Sequence, residues 1–187
     1  RRAGLRRLPD REARVEEFFL RAADLLPGHT FVLAGSGWET RALPRNVRHV
    51  GHLYTRDHNA FNCSTLAVLN VTRDSMTRFG FSPATRVFEA AGAGACLISD
   101  AWTGLSDFLV PEEEILVAES GAEVAQLVES LDPVRAREIG ARARRRVLSD
   151  HTYAQRALLV HATLEGLEPR TARARVSPAR GQREVRS

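Results

Sequence analysis

The sequence predicts an α/β fold, with a doubly wound parallel sheet covered by helices on both faces. Short apolar runs alternate along the chain with longer segments of helical periodicity. The strand-like runs are apolar throughout, and LAVLNV (66–71) is the clearest of them. A strand that is apolar on both sides is typical of a parallel sheet buried between two helical layers. We therefore expect a Rossmann-like domain.

The first half of the chain supplies one long helix and three of the strands. An apolar stripe at helical spacing predicts a helix over 10–26, which Pro27 and Gly28 end. The polar segment 55–65 is predicted to be a short helix or a loop. Strands are predicted at 30–35, 47–53 and 66–71.

The second half continues the alternation. After a predicted loop at 72–82, a helix is expected over 83–94, with Pro83 in its first turn. A long helical pattern closes the fold over 133–167, with a break near 149–153. Gly92 and Gly94 precede a strand, and we interpret them as a helix C-cap with close helix–sheet packing. Further elements are the strands 95–99 and 114–118 and the helix 121–131.

The charge distribution argues against a nucleic-acid-binding domain. The net charge is +4, but residues 168–187 alone hold six Arg and two Glu, and the remaining 167 residues balance 21 basic with 21 acidic groups. A nucleic-acid-binding domain carries its basic excess on a folded face. We expect three regions: a disordered or eroded first strand at 1–9, a domain at 10–167, and a disordered Arg-rich tail at 168–187.

Cysteine use and hydropathy favour a cytoplasmic protein. Cys63 and Cys96 lie in or beside apolar runs and do not form a disulfide framework, so a reducing compartment is expected. No apolar stretch approaches the ~18 residues of a membrane-spanning helix, and the basic opening has no apolar core typical of a secretory signal. We predict no transmembrane segment.

Ligands of open α/β sheets bind at the carboxyl ends of strands. Gly35 and Gly37 follow the first predicted strand and form either a phosphate cradle or a plain tight turn, because the third glycine of a dinucleotide fingerprint is lacking. The segment 103–108 places small residues after a strand, where the backbone N–H groups of Gly104 and Leu105 can bind an anion. Asp100 ends that strand and is either an N-cap or a ligand group.

Glu89 stands six residues into a helix that is otherwise rich in small and apolar residues. One interpretation is a carboxylate that faces solvent or pairs with Arg86 three residues earlier. The other is a ligand group, because a carboxylate accepts two strong hydrogen bonds from a vicinal diol such as ribose.

The residues AVLNVTRDSM, GFSPATRVFEAAGAGACLISDAWTGLSDFL and EEEILVAES (between 67 and 120) resemble the C-terminal donor-binding domain of CgeB-like (spore maturation type) glycosyltransferases. These enzymes belong to the GT-B superfamily. The resemblance covers about 8–160. It implies a nucleotide-diphosphate sugar as donor substrate, no other cofactor and no bound metal. The helix 151–164 is similar to the terminal helix that crosses back to the N-terminal domain.

The resemblance also implies roles for single residues. Glu89 falls on the glutamate that binds the nucleotide ribose, and Arg86 is a candidate for the diphosphate charge. These two are the expected catalytic residues. Phe81 stands where the superfamily has a second glutamate. The expected donor-binding residues are Gly35, Gly37, Ser82, Thr85, Arg86, Glu89, Asp100, Gly104 and Leu105.

The resemblance is incomplete at the N-terminus. GT-B enzymes have two Rossmann-like domains with the active site between them, and the chain has room for one. RRAGLRRLPD stands where the family has an apolar first strand. We therefore expect a glycosyltransferase that needs an N-terminal acceptor domain or a partner chain. The main alternative is a non-catalytic nucleotide- or protein-binding module that retains the half-fold. A third class, a phosphate-receiving signalling domain of the flavodoxin type, ranks last, because the acidic residues that it would need at the end of the first strand are absent.

Overall fold

The computed structural model describes residues 10–166, so the regions predicted at 1–9 and 168–187 lie outside the described residues. The chain divides into two compact units between His151 and Thr152. The first unit contains the five strands and all helices up to Asp150, and the second contains the last helix. None of the helices within 10–166 is long and apolar enough to cross a membrane.

The first unit opens with one continuous helical segment. It consists of α1 (Asp10–Val15), a π-helical stretch (Glu16–Leu20) and α2 (Arg21–Leu25). The π-helical stretch buries Phe18 and Leu20. The segment confirms the helix predicted at 10–26.

Five parallel strands follow, interspersed with helices, and they form two sections of sheet. In one section β1 (Phe31–Leu33) pairs with β2 (Val47–His49). In the other, β4 (Leu97–Asp100) lies between β3 (Val68–Asn70) and β5 (Leu116–Ala118). Within residues 10–166, β1 and β3 are not hydrogen-bonded to each other. The predicted parallel α/β fold class is confirmed, although the sheet is interrupted between β1 and β3.

The helices confirm most of the predicted elements. The polar segment before β3 is a 3₁₀ turn (Thr55–Asp57) followed by α3 (His58–Cys63). The loop predicted at 72–82 contains a short helix that sequence reasoning missed. Pro83 precedes the next helix instead of lying in its first turn, because that helix begins at Thr85. The helices after β3 are α4 (Asp74–Thr77), α5 (Thr85–Ala93), α6 (Gly121–Ser130) and α7 (Pro133–Asp150).

Two hydrophobic clusters show that helices cover both faces of the sheet. β4 is buried along its whole length. Cys96 and Ile98 belong to one cluster with α2 and α6, whereas Leu97 belongs to the other with α5. Alternate side chains of a strand point to opposite faces, so β4 is the central strand of a doubly wound layer arrangement.

Two glycines allow α7 to pack directly on the α5–β4 connection. Gly94 ends α5 with φ +85°, which confirms its predicted C-cap role. A Cβ atom added at Gly140 of α7 would overlap the carbonyl oxygen of Gly94. The two backbones therefore approach more closely than any side chain at Gly140 would permit.

The second unit contains α8 (Tyr153–Leu164), so the predicted break near 149–153 is confirmed. A capping box begins this helix: the Thr152 hydroxyl accepts from the Gln155 N–H, and the Gln155 side chain accepts from the Thr152 N–H. Several large apolar side chains of α8 are exposed. They are Tyr153, Leu158, Leu159, Val160 and Leu164.

Candidate functional site

A cavity of about 940 Å³ opens at the carboxyl ends of β1 and β3. This volume lies within the roughly 300–1,000 Å³ that is usual for small-molecule sites. Four of the predicted site residues line the cavity: Gly35, Thr85, Arg86 and Glu89. The other five are not part of its lining: Gly37, Ser82, Asp100, Gly104 and Leu105.

The N-terminus of α5 faces this cavity and has no side-chain cap. Its N-cap residue is Ala84, whose side chain makes no capping hydrogen bond. By contrast, Ser120 caps α6 and Asp132 caps α7. The first N–H groups of a helix need acceptors from outside the helix. The N-terminus of α5, which begins with Thr85, is therefore suited to an anion that enters the cavity.

Glu89 lies one helical turn beyond Thr85 and lines the same cavity. Its side chain is 51% exposed, and its Oε2 lies 3.9 Å from Nδ1 of His58 on α3. The carboxylate is therefore accessible, and an imidazole from a neighbouring helix stands beside it. Arg73 and Arg86 add two guanidinium groups to the lining. This mouth of the cavity combines positive charge, helix N–H groups and one carboxylate.

The glycine turn after β1 already holds an anion of its own. Gly35 and Gly37 have φ values of +115° and +96°. The Gly37 N–H donates to Oε2 of Glu39 at 2.8 Å, and the Gly35 N–H donates to the Gly51 oxygen at 2.7 Å. The backbone N–H groups of Glu39 and Gly37 lower the pKa of the Glu39 carboxyl. The turn thus binds a carboxylate in the way that a phosphate cradle would bind a phosphate.

The loops that carry Ser82 and Gly104 meet through an aromatic side chain. Phe81 has φ +48°, an unusual conformation for an aromatic residue, and its N–H donates to the Thr103 oxygen at 2.7 Å. A Cβ atom added at Gly104 would overlap the Phe81 ring. Leu105 is buried, and its N–H donates to the Trp102 oxygen at 3.2 Å. These contacts join the two loops beside the exposed Ser82.

Asp100 is engaged by donors of the protein itself. Its side chain is 1% exposed and accepts from the Thr72 N–H at 2.8 Å and the Thr72 hydroxyl at 2.9 Å. Arg14 of α1 donates to the other carboxylate oxygen at 2.5 Å and to the Thr72 carbonyl at 3.3 Å. Asp100 thus ties α1 to the ends of β3 and β4, and its role as a ligand group stays a prediction.

Sequence reasoning missed several polar residues around the site. Arg14 lies in the helix predicted at 10–26 and His58 in the polar segment 55–65, and the sequence analysis gave neither residue a role. Asn70 is buried at the end of β3, where its Nδ2 donates to the Ser99 hydroxyl at 3.0 Å. Polar residues that interrupt an apolar run at its carboxyl end, as Asn70 and Thr72 do, were the available signal.

No cluster of three or more His, Cys, Asp or Glu side chains within 10–166 is arranged to hold a metal ion.

The first unit is thus a parallel α/β unit whose cavity at the carboxyl edge of the sheet contains an uncapped helix N-terminus and a carboxylate. The family model described as "Glycosyl transferase-like" matches residues 6–162. The chain therefore belongs to the glycosyl transferase-like family. None of the curated proteins matches it in sequence.

Solved structures of GT-B glycosyltransferases share the fold at low identity. Sucrose-phosphate synthase from Thermosynechococcus elongatus matches with TM-score 0.66 and 20% identity, over 84% of this chain and 43% of that one. T4 phage BGT, solved with its UDP-glucose substrate, matches with TM-score 0.64 and 15% identity, over 85% and 46%. Anabaena HepE, solved in complex with UDP-glucose, matches with TM-score 0.61 and 14% identity, over 79% and 44%. The chain thus spans less than half of each of these structures.

Proposed function

We propose that this chain is the donor-binding half of a glycosyltransferase and holds a nucleotide-diphosphate sugar at the carboxyl edge of its sheet. The observation that carries the proposal is the uncapped N-terminus of α5 beside Glu89 in the 940 Å³ cavity. Membership of the glycosyl transferase-like family supports it. Two of the structural neighbours were solved with UDP-glucose, which makes UDP a natural first ligand to test.

Each group at the mouth of the cavity has a role in this proposal. The first N–H groups of α5 and the guanidinium of Arg86 bind the diphosphate. Glu89 accepts hydrogen bonds from the two ribose hydroxyls, and His58 positions the carboxylate from the side. Negative charge develops on the diphosphate as the bond between it and the sugar breaks. Fixed positive groups at this position therefore accelerate transfer of the sugar. We propose that the protein needs no metal for this stabilisation, and that Ser82 and Gly104 belong to the same donor site.

In this proposal, the groups that bind the acceptor do not come from the donor-binding half. The chain spans 43–46% of the structural neighbours described above. We propose that an N-terminal domain or a partner chain holds the acceptor. We further propose that the chain belongs to the CgeB-like branch of the glycosyltransferases. A cytoplasmic location is also part of the proposal, and the free thiols of Cys63 and Cys96 support it.

Calorimetric titration of UDP, GDP and ADP into the full chain tests the proposal. A hydrogen bond to a charged group contributes about 1.5–3 kcal/mol, so Glu89→Ala should weaken the preferred nucleotide roughly 10- to 150-fold. Glu129→Ala is the matched control, because Glu129 is an exposed glutamate of α6 outside the cavity lining. Its affinity should equal that of the wild type.

A nucleoside separates the two roles at the mouth of the cavity. Arg86→Ala should weaken UDP strongly and uridine little, since uridine lacks the diphosphate, whereas Glu89→Ala should weaken both. If both substitutions weakened the two ligands equally, the assignment of diphosphate and ribose would be wrong. A folded protein that binds none of the nucleotides would contradict the donor-site proposal altogether.

That last outcome would favour the second candidate, a non-catalytic interaction module. The specific observation behind it is the exposed apolar surface of α8, where Tyr153 is 88% and Leu164 is 81% exposed. Exposed apolar surface of this kind marks sites of protein–protein contact.

A further inference from the structure

His58 is the first residue of α3 and lines the same cavity as Glu89 of α5. The two helices are in contact at their other ends as well, where the Sγ of Cys63 donates to the Ala93 carbonyl oxygen at 3.3 Å. The side chain of His58 is 34% exposed and that of Glu89 is 51% exposed. The packing of α3 on α5 therefore sets the position of the imidazole beside the carboxylate, and both groups remain accessible to solvent protons.

Both ring nitrogens of His58 face groups that can only accept hydrogen bonds. Nε2 lies 3.3 Å from the Leu53 carbonyl oxygen, and Nδ1 lies 3.9 Å from Oε2 of Glu89. Neither a carbonyl nor a carboxylate has a proton to donate, so the hydrogen bond to Leu53 requires a proton on Nε2. A neutral imidazole then has only a lone pair on Nδ1, directed at a negative group. Only the doubly protonated imidazolium presents an N–H to both partners.

The charges around the imidazole act in both directions. Glu89 of α5 and Asp57 of the preceding 3₁₀ turn favour the protonated form of His58. Asp57 is 3.6 Å from the guanidinium Nε of Arg56, which offsets part of its charge. Arg86 of α5 lines the same cavity and opposes a further positive charge there, as does the position of His58 at a helix N-terminus. Of the two acids, Glu89 is the one within ion-pair distance of the ring.

We propose that His58 positions Glu89 for the ribose only when His58 is protonated, so that protonation of this side chain strengthens nucleotide-sugar binding. The imidazolium donates to Leu53 and attracts one oxygen of Glu89, which holds the carboxylate in one orientation. The carboxylate keeps enough acceptor sites for the two ribose hydroxyls. Loss of the Nδ1 proton removes this attraction. The inference rests on the proposed function and adds a pH dependence to the same site.

Calorimetric titration of UDP-glucose into the full chain at pH 5.5 and pH 8.0 tests the inference. Histidine changes its charge in this range, whereas ordinary carboxyl groups do not. Each phosphate of UDP-glucose has a single ionisable oxygen, so the charge of the ligand stays constant. The effect of a partly exposed ion pair is small, and we expect the affinity to be about two- to fivefold higher at pH 5.5.

Proton uptake gives a second reading of the same coupling. If a proton strengthens the binding of the ligand, the ligand strengthens the binding of the proton to the same extent. UDP-glucose should therefore draw protons from the buffer when it binds at pH 6.5. The measured heat of binding should then differ between phosphate and imidazole buffers, which have different ionisation enthalpies.

Two variants show whether the pH effect belongs to the pair of side chains. His58→Asn retains a neutral amide beside Glu89 but cannot be protonated, and Glu89→Gln retains the shape of the carboxylate without its charge. Each variant should bind UDP-glucose with the same affinity at both pH values. His161→Gln is the matched control, because His161 is an exposed histidine of α8 outside the lining of this cavity. It should keep the wild-type pH effect, and circular dichroism establishes that every variant is folded.

Nitrogen-15 NMR of the imidazole tests the premise without any ligand. At pH 8.0 the neutral ring of His58 should carry its proton on Nε2, as the contact with Leu53 requires. The His58→Asn spectrum identifies the resonances. A proton on Nδ1 would mean that the neutral ring already donates toward Glu89, and the inference would be wrong.

The other unfavourable outcomes have distinct meanings. Equal affinity of the wild type at both pH values would overturn the inference and leave the proposed function intact. A pH effect that persists in His58→Asn would assign it to another group, and one that persists in Glu89→Gln would mean that the imidazolium acts on the diphosphate directly. Tighter binding at pH 8.0 would show that the imidazolium competes with the ribose for the carboxylate. If the folded protein bound neither UDP-glucose nor the free nucleotides, the proposed function would fail, and this inference with it.

Discussion

Replacing Asp100 by alanine is expected to destabilise the fold strongly, because its buried carboxylate joins three segments of the chain. It accepts two hydrogen bonds from Thr72 after β3 and one from Arg14 of α1. Removing one partner of a buried ion pair costs about 3–5 kcal/mol. The Thr72 donors also lose their acceptor. We therefore expect Asp100→Ala to lower the free energy of unfolding by about 3–5 kcal/mol, the upper part of the usual range for single substitutions.

Urea unfolding followed by circular dichroism at pH 7 measures this loss. Asp107→Ala is the control, since Asp107 is an exposed carboxylate in the loop after β4, and it should change the stability by less than about 0.5 kcal/mol. The double variant with Arg14→Ala should show a coupling energy of about 0.5–3 kcal/mol, as expected for residues in direct contact.

The opposite pattern would refute this account of Asp100. If Asp100→Ala cost less than about 1 kcal/mol, the carboxylate would not stabilise α1 against the strands. If the variant also failed to bind nucleotide while its unfolding curve was unchanged, Asp100 would be a ligand group, one of the two roles weighed from the sequence.

The remaining predictions concern packing, thiol reactivity and pH. Gly140→Ala should destabilise the protein by about 1–3 kcal/mol in urea unfolding, because its methyl group overlaps the Gly94 carbonyl. Burial raises the pKa of the Cys96 thiol to about 11, so at pH 8 a thiol reagent should modify the exposed Cys63 and leave Cys96 unmodified until the protein unfolds. The backbone N–H groups of Arg135 and Val134 lower the pKa of Asp132 below its ordinary value of 3.8. The Asp132 cap therefore stabilises the fold fully above pH 3.8, and this stabilisation is lost as the pH falls through the lowered pKa. On acidification, the urea midpoint of Asp132→Ser should fall less than that of the wild type.

Each of these predictions can fail in a recognisable way. Gly28→Ala is the control for the glycine, because a Cβ there meets open space; equal effects at the two glycines would exclude the close approach of α7. Modification of both thiols at the same rate in the folded protein would show that Cys96 is accessible. A variant with the same acid sensitivity as the wild type would show that Asp132 does not titrate as an N-cap.

Local signals in the sequence were enough for most of the elements. Apolar periodicity identified the first helical segment and the five strands, and Gly94 marked the end of α5. The error at Pro83 was local too. Proline restricts the residue before it and suits a first helical turn, but the chain stays extended through Ala84. The short helix Asp74–Thr77 was not predicted, because four residues are too few to show a helical period.

The site was less predictable, because long-range contacts decide what a polar side chain can do. Thr85, Arg86 and Glu89 share one helix, and their spacing alone places them together. Asp100 has the same position in sequence as a ligand group would have, yet Arg14, 86 residues away, occupies its carboxylate. The Gly37 turn likewise holds Glu39.

The sequence alone determined the fold class, since burial of apolar runs on both sides of each strand requires a parallel sheet between two helical layers. It also determined the candidate residues of α5. Only the tertiary structure decided that β1 and β3 are not hydrogen-bonded to each other and that both line one cavity. Strand pairing depends on hydrogen bonds between residues far apart in the chain, and neither the hydrophobic pattern of β1 nor that of β3 records whether a neighbour is present.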